Sequence, residues 1–124
     1  MLALKPQHLS FEAAATTPTV YLTVLTAFDY GQGMGPATRV LIHAGTGGVG
    51  LAALSVSRSL GCTVAVTAGS ADKRDYLRRM GLRAAVDSRS TGFTDPLLSC
   101  MGAFDVALNS LTSPGQFKAP YILE

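Results

Sequence analysis

"VLIHAGTGGVG", Val40 to Gly50, places an apolar run directly ahead of four glycines in six positions. Gly45, Gly47 and Gly50 have the spacing G-x-G-x-x-G, and Gly48 is added to it. The residues that follow, "GVGLAALSVSRSL", carry apolar side chains at Val49, Ala53, Val56 and Leu60, the spacing of one helix face. The turn thus stands between a strand and a helix, where such glycines can cradle a diphosphate. Each glycine has a physical reason. The first permits the sharp turn, the second lets a pyrophosphate approach the main chain, and the third lets the helix pack closely on the strands, helped by Ala52 and Ala53. No Asp or Glu occupies the first turn of the helix, so its free amides and positive dipole end stay open to an anion. The alternative is a glycine-rich turn that merely joins strand to helix. A Walker-type phosphate loop is excluded, because the Gly-Lys-Ser/Thr ending is missing.

Working outward, strand and helix patterns alternate. "TVAVTA" (63–68), "AAVD" (84–87) and "FDVALN" (104–109) read as further strands; helices are expected from Ser70 to Met80, closed by Gly81, and around Pro96 to Cys100. Such alternation implies parallel pairing, since a crossover helix joins successive parallel strands. The expected fold class is α/β: a Rossmann-like dinucleotide-binding parallel sheet, incomplete, with four strands in the order 3-2-1-4 and an N-terminal helical segment. In that segment Ser10 caps the Ala-rich turn "FEAAATT", which should stop before Pro18. "TVYLTVLTAFDY" should form a second helix with Tyr21, Leu22, Leu25 and Phe28 on one face, although its β-branched residues leave a strand open. "GQGMGP", Gly31 to Pro36, is the linker. The expected organisation is a helical lead-in and Gly-rich linker over 1–38, a dinucleotide-binding domain over 39–112 and a C-terminal tail over 113–124.

Composition narrows the function. The 124 residues fit one domain. Ten Lys and Arg against eight Asp and Glu leave a net charge of +2, too even to indicate nucleic acid or a membrane surface as partner. The most apolar stretch, Val20 to Phe28, is nine residues long, against the roughly 18 to 20 of a membrane span. The N-terminal residues lack the uninterrupted apolar run of a secretory signal. Cys62 and Cys100 lie far apart and suggest neither a disulfide framework nor a metal site, which fits reduced thiols in a cytoplasmic setting.

The strand after the glycine helix indicates which nucleotide is bound. An NAD site usually has Asp or Glu at the end of that strand, accepting hydrogen bonds from the ribose hydroxyls. Here the sequence reads "TAGSADKR", with Gly69 and Ser70 at that place and Lys73 and Arg74 following. With Ser70 as N-cap, these cations fall in or beside the first helical turn, where an anion bound nearby would offset their unfavourable interaction with the dipole. A 2'-phosphate fits, and NADPH is the expected cofactor. The alternative is that both are solvated charges balanced by Asp72 and Asp75.

"VLIHAGTGGVGLAAL", "TAGSADKRDYL", "DSRSTGF" and "FDVALNSLTS", in this order, resemble the enoylreductase domains of polyketide synthases and animal fatty acid synthases, within the medium-chain dehydrogenase/reductase and quinone oxidoreductase group. "LSFEAAATTPTVYLTVLTAF" is similar to the segment preceding their cofactor domain, so the resemblance spans roughly residues 9 to 113. It implies NADPH-dependent reduction of a 2-enoyl thioester, with hydride going to the β-carbon and a proton to the α-carbon. It also implies partners: an acyl carrier protein-bound enoyl thioester, or the rest of a multidomain synthase. Among the residues it implies main chain around Thr46, Gly47, Gly48 and Val49 for the pyrophosphate. Ser70, Lys73 and Arg89 would lie near the 2'-phosphate and adenine, and Asn109 near the nicotinamide end. Thr23 would line the nicotinamide pocket, or serve only as a core or surface threonine; Arg89 could equally be an ordinary loop cation and Asn109 a turn cap. His43, on a buried strand with no carboxylate at triad-like spacing, is expected to be a core residue.

The sequence also departs from the family. A barrel-like substrate domain is expected to be missing, Val24 stands where the family commonly has alanine, "GQGMGPATR" replaces a short turn, and Lys118 is not in the context of the family's proposed proton donor. No residue here is assigned a catalytic role. Two other readings stay open: a non-catalytic NADPH-binding module or fragment, and a quinone reductase-like enzyme.

Overall fold

The computed structural model describes residues 2–29, 33–82, 84–89, 99 and 101–109. Its elements in chain order are helix α1 (Phe11–Asp29), strand β1 (Arg39–Ile42), helix α2 (Gly48–Ser59), strand β2 (Thr63–Ala68), helix α3 (Ala71–Arg79), strand β3 (Ala85–Asp87) and strand β4 (Val106–Leu108). The strands form one parallel sheet in the order β3-β2-β1-β4, as the alternation of elements predicts. Ile42 pairs with Val66 and Leu108, and Ala68 pairs with Asp87. All four carboxyl ends therefore lie along one edge, with the reversal of strand order beside β1.

Side chains alternate between the two faces of the sheet along the strands. Val40, Ile42, Val66, Ala68 and Ala85 point to the face covered by the three helices, where they meet Ala52, Ala53 and Leu54 of α2, Leu77 of α3, and Val24 and Phe28 of α1. Leu41 and Ala65 point to the opposite face, against Ala84, Val86, Met101 and Phe104. The central strands β1 and β2 are apolar and mostly buried; β4, at the edge, is only half-buried and exposes Ala107.

Arg39 and Asp105 fasten β4 to β1. The Asp105 carboxylate accepts the Arg39 backbone N–H at 2.8 Å and its Nε at 3.4 Å, while the Asp105 amide donates to the Arg39 carbonyl at 2.9 Å. That backbone donor, aided by the guanidinium, holds the Asp105 carboxyl below its usual 3.8. The helix expected around Pro96 to Cys100 and the tail over 113–124 lie outside the described residues, except that Ser99 and Met101 are helical.

Two expectations for the lead-in are corrected. There is one helix, α1, with Pro18 inside it, in place of two helices parted at the proline. The hydroxyls of Thr16 and Thr17 both donate to the Ala13 carbonyl just before the ring, at 2.8 and 3.1 Å, and Pro18 itself is exposed. Tertiary packing of the rest of α1 outweighs the local penalty. The buried stripe is also different: Val24 and Phe28 are buried and Val20 and Tyr21 half-buried, whereas Leu22 and Leu25 are 67% and 53% exposed. Val24→Ala should therefore cost about 2 kcal/mol in denaturant unfolding, whereas Leu22→Ala should stay within about 0.5 kcal/mol. The opposite ranking would restore the Leu22/Leu25 face.

Candidate nucleotide-binding site

The chain leaves β1 through a turn that sequence alone describes imperfectly. Its left-handed residue is Ala44, at φ 52°, and none of the four glycines has a positive φ. An L-residue there carries a conformational cost of about 1–2 kcal/mol. The turn is over-determined by hydrogen bonds: Gly45 N–H donates to the Thr67 carbonyl and Gly47 N–H to the Ala44 carbonyl, each at 3.0 Å, and the Ala44 amide faces Thr67 Oγ1 at 3.4 Å.

The glycines divide by what a side chain would meet. A Cβ on Gly45 would collide with Cγ1 of Val66 and lie 3.3 Å from its Cβ, and Val66 is fully buried on the central strand β2. Gly45 is thus required for space, not for its dihedral freedom. A Cβ on Gly50 would collide with the Ala44 carbonyl oxygen and lie 2.7 and 2.9 Å from the Gly45 Cα and carbonyl carbon. All of these are main chain, so nothing can step aside. Gly47 is different: the only atom near its Cβ position is the Ala44 oxygen at 3.3 Å, its dihedrals (φ −74°, ψ 166°) suit any residue, and it is exposed. An alanine there would need the Ala44 carbonyl to give by only a few tenths of an ångström, far less than at Gly45 or Gly50, and its Cβ would fill space directly before the helix.

Gly47 is the N-cap of α2 and provides no side-chain acceptor, and the first turn holds no acidic residue. The first helical bond is Leu51 N–H to the Gly47 carbonyl at 2.8 Å. Among the described residues the amides of Gly48, Val49 and Gly50 find no acceptor, so three donors and the positive dipole end converge in front of Gly47. Thr46 and Val49 flank this mouth. This donor set fits a diphosphate.

The other candidate residues lie along the same sheet edge. Ser70 caps α3, its Oγ accepting the Lys73 amide at 3.3 Å, which leaves its O–H able to donate elsewhere. Lys73 is exposed on the first turn of α3. Arg89, after β3, lays its guanidinium over the end of β2, with Nε 3.4 Å and one terminal nitrogen 3.7 Å from where a Gly69 Cβ would stand. Among the described residues neither Lys73 nor Arg89 is in an ion pair. Asn109 directly follows β4, on the far side of β1. The ten sequence candidates, Gly45 to Gly50 with Ser70, Lys73, Arg89 and Asn109, thus share the carboxyl edge, where open parallel sheets bind ligands.

Arg74 does not join them. Its Nη1 donates to the Ala68 carbonyl at 3.1 Å and pairs with Asp87 at 3.4 Å, so it is neither a free phosphate ligand nor balanced by Asp72 or Asp75. Asp75 pairs instead with Arg78, at 2.8 Å. Thr23 donates to the Thr19 carbonyl at 2.8 Å on the exposed side of α1. His43 is 1% exposed, with Nδ1 3.2 Å from Thr67 Oγ1, and burial lowers its pKa from the usual 6.5. Sequence reasoning missed Asp87 and the Ala44 conformation. For Asp87 a signal existed, because Asp is favoured where a chain turns and it stands at the end of the strand pattern, two residues before Arg89.

Two outcomes follow from this geometry. Gly50→Ala, and to a lesser degree Gly45→Ala, should lower thermal stability sharply, whereas Gly47→Ala should fold with a near-parental melting temperature yet bind dinucleotide at least about tenfold more weakly by calorimetry. On acidification the unfolded chain takes up the proton at His43 first. That residue's contribution is therefore intact above about pH 6.5 and is lost as pH falls through the lower folded pKa. Melting temperature should drop as pH falls below about 6.5, and the drop should be smaller in His43→Asn.

Comparison with known proteins places this geometry. The family model for zinc-binding dehydrogenases matches residues 48–121. A phenolphthiocerol/phthiocerol polyketide synthase chain of Mycobacterium tuberculosis is 42% identical over 120 residues, which are 95% of this chain and 6% of that protein. Among solved structures, the nucleotide-binding subdomain of the enoylreductase domain of PpsC from Mycobacterium tuberculosis superposes with a TM-score of 0.70 at 43% identity, covering 76% of this chain and 54% of that one. The quinone oxidoreductase from Thermus thermophilus, described with its NADPH complex, gives a TM-score of 0.75 at 28% identity, covering 87% of this chain and 35% of that one. The chain thus spans a small part of the curated relatives it matches.

Proposed function

This chain belongs to the zinc-binding dehydrogenase family, and from that premise we propose that it is the NADPH-binding part of an enoylreductase that reduces a 2-enoyl thioester within a polyketide or fatty acid synthase. The observation that carries this reading is the mouth of α2: three amides that find no acceptor among the described residues, in front of Gly47, where packing constrains a side chain less than at Gly45 or Gly50. The family's name refers to zinc, but among the described residues no group of three His, Cys, Asp or Glu could hold a metal ion, and no step is assigned to one.

In this reading strand order sets the direction in which the dinucleotide lies. The amides of Gly48, Val49 and Gly50, with Thr46 and Gly47 beside them, hold the diphosphate above β1. The Ser70 hydroxyl, Lys73 ammonium and Arg89 guanidinium gather the 2'-phosphate at the ends of β2 and β3. Asn109, across the reversal of strand order, meets the nicotinamide end. NADPH, when bound, supplies the hydride for the β-carbon. The chain's own contribution is to fix that donor in place, which removes much of the entropic cost of the transfer. Stabilisation of the developing enolate and protonation of the α-carbon fall to the remainder of the synthase, as does recognition of the carrier-bound acyl chain.

A quinone reductase-like reading shares the cofactor site and has the Thermus thermophilus structure in its favour. Substrate separates the two: in the full-length protein, NADPH consumption with a crotonyl thioester, and not with a quinone, is the expected result. Tight NADPH binding with no turnover of either would instead indicate a non-catalytic module. Titrating NADPH and NADH in parallel tests the cofactor assignment. Lys73→Ala and Arg89→Ala should each weaken NADPH roughly five- to tenfold and leave NADH within about twofold; equal loss for both nucleotides would overturn the 2'-phosphate assignment.

A further inference from the structure

Asp87 is the carboxylate at the end of β3, the strand next to β2, and each of its oxygens has a partner. One oxygen, Oδ1, accepts the Arg89 backbone N–H at 2.9 Å, closing an Asx-turn over Asp87, Ser88 and Arg89. The other, Oδ2, lies 3.4 Å from Arg74 Nη1, and that same nitrogen also donates to the Ala68 carbonyl at 3.1 Å. The Ser88 amide bonds to the Ala68 carbonyl as well, at 3.3 Å. The turn after β3 is thereby pinned to the last residue of β2, directly before Gly69 and Ser70. Arg89 then has a short reach: its guanidinium rests over Gly69, within 3.4 Å of where a side chain would begin.

From these contacts we infer that Asp87 is a positioning residue for nucleotide selection, fixing the Arg89 turn with one oxygen while Arg74 neutralises the carboxylate through the other. This rests on the reading of Arg89 as a 2'-phosphate ligand. Two problems are solved at once. An arginine on an untethered turn would have to be ordered each time the phosphate binds, and the Asx-turn carries that cost in advance. A bare carboxylate beside a bound phosphate would repel it, and the Arg74 guanidinium, 3.4 Å away, offsets that repulsion. Arg74 thus assists the anion without touching it, which explains why a residue next to Lys73 in sequence does not share its role.

The test compares NADPH and NADH dissociation constants, by fluorescence or calorimetry, for the full-length parent, Asp87→Ala, Asp87→Asn and Arg89→Ala. Asp87→Ala should weaken NADPH about five- to tenfold and NADH no more than about twofold. Asp87→Asn, which keeps an oxygen for the Arg89 amide, should recover most of the NADPH affinity. A general structural role would lower both nucleotides together, and that outcome overturns the inference, as does an asparagine that rescues nothing. If Arg89→Ala loses NADPH selectively while Asp87→Ala does not, the cofactor reading stands and this inference alone fails. If Arg89→Ala leaves selectivity unchanged, both fail.

Discussion

The structure depends on one close approach, that of Gly50 to the main chain of Ala44 and Gly45. It brings the first turn of α2 against the exit of β1, and the helix begins there with no capping side chain. A methyl group at that point would collide with this main chain and force helix and strand apart. Gly45 serves the same end from the other side, clearing the way for Val66. The spacing of the glycines is thus first a packing condition, strictest at Gly50 and Gly45 and weaker at Gly47.

Charge is managed with similar economy along the carboxyl edge. The cations at the end of β2 are not equivalent, although the sequence "DKRD" presents two of them side by side. A helix turns by about 100° per residue, so Lys73 and Arg74 leave α3 in different directions. Arg74 folds back onto Ala68 and Asp87, and Lys73 stays in solvent. Arg89 arrives from another strand altogether, and only the parallel pairing of Ala68 with Asp87 brings it to the same spot.

Strand order, the helices on either side of β2, the Ser70 cap and the location of the glycine turn were all legible in the sequence, because hydrophobic period, caps and breakers agree there. What was not legible depends on contacts distant in sequence. Pro18 reads locally as a stop, yet α1 continues because Val20, Val24 and Phe28 have a core to pack against. Leu22 and Leu25 look like core residues and are not, since which stripe of an apolar helix turns inward is decided by its neighbour. Ala44 in a left-handed conformation contradicts every residue preference and exists only because the turn is held at both ends. Asp87 was passed over because a search for a carboxylate at the end of β2 does not look to the strand beside it.

Val20 of α1 stands with Cγ1 3.3 Å from where a Gly48 side chain would begin. Gly48 is also the first residue of α2, at the lip of the amide cluster. A helix well upstream in the chain therefore packs directly against the first turn of α2. The lead-in helix is thereby part of the nucleotide-binding subdomain's own core, with Val24 and Phe28 packed in the same cluster as Ala52, Ala53 and Leu54 of α2.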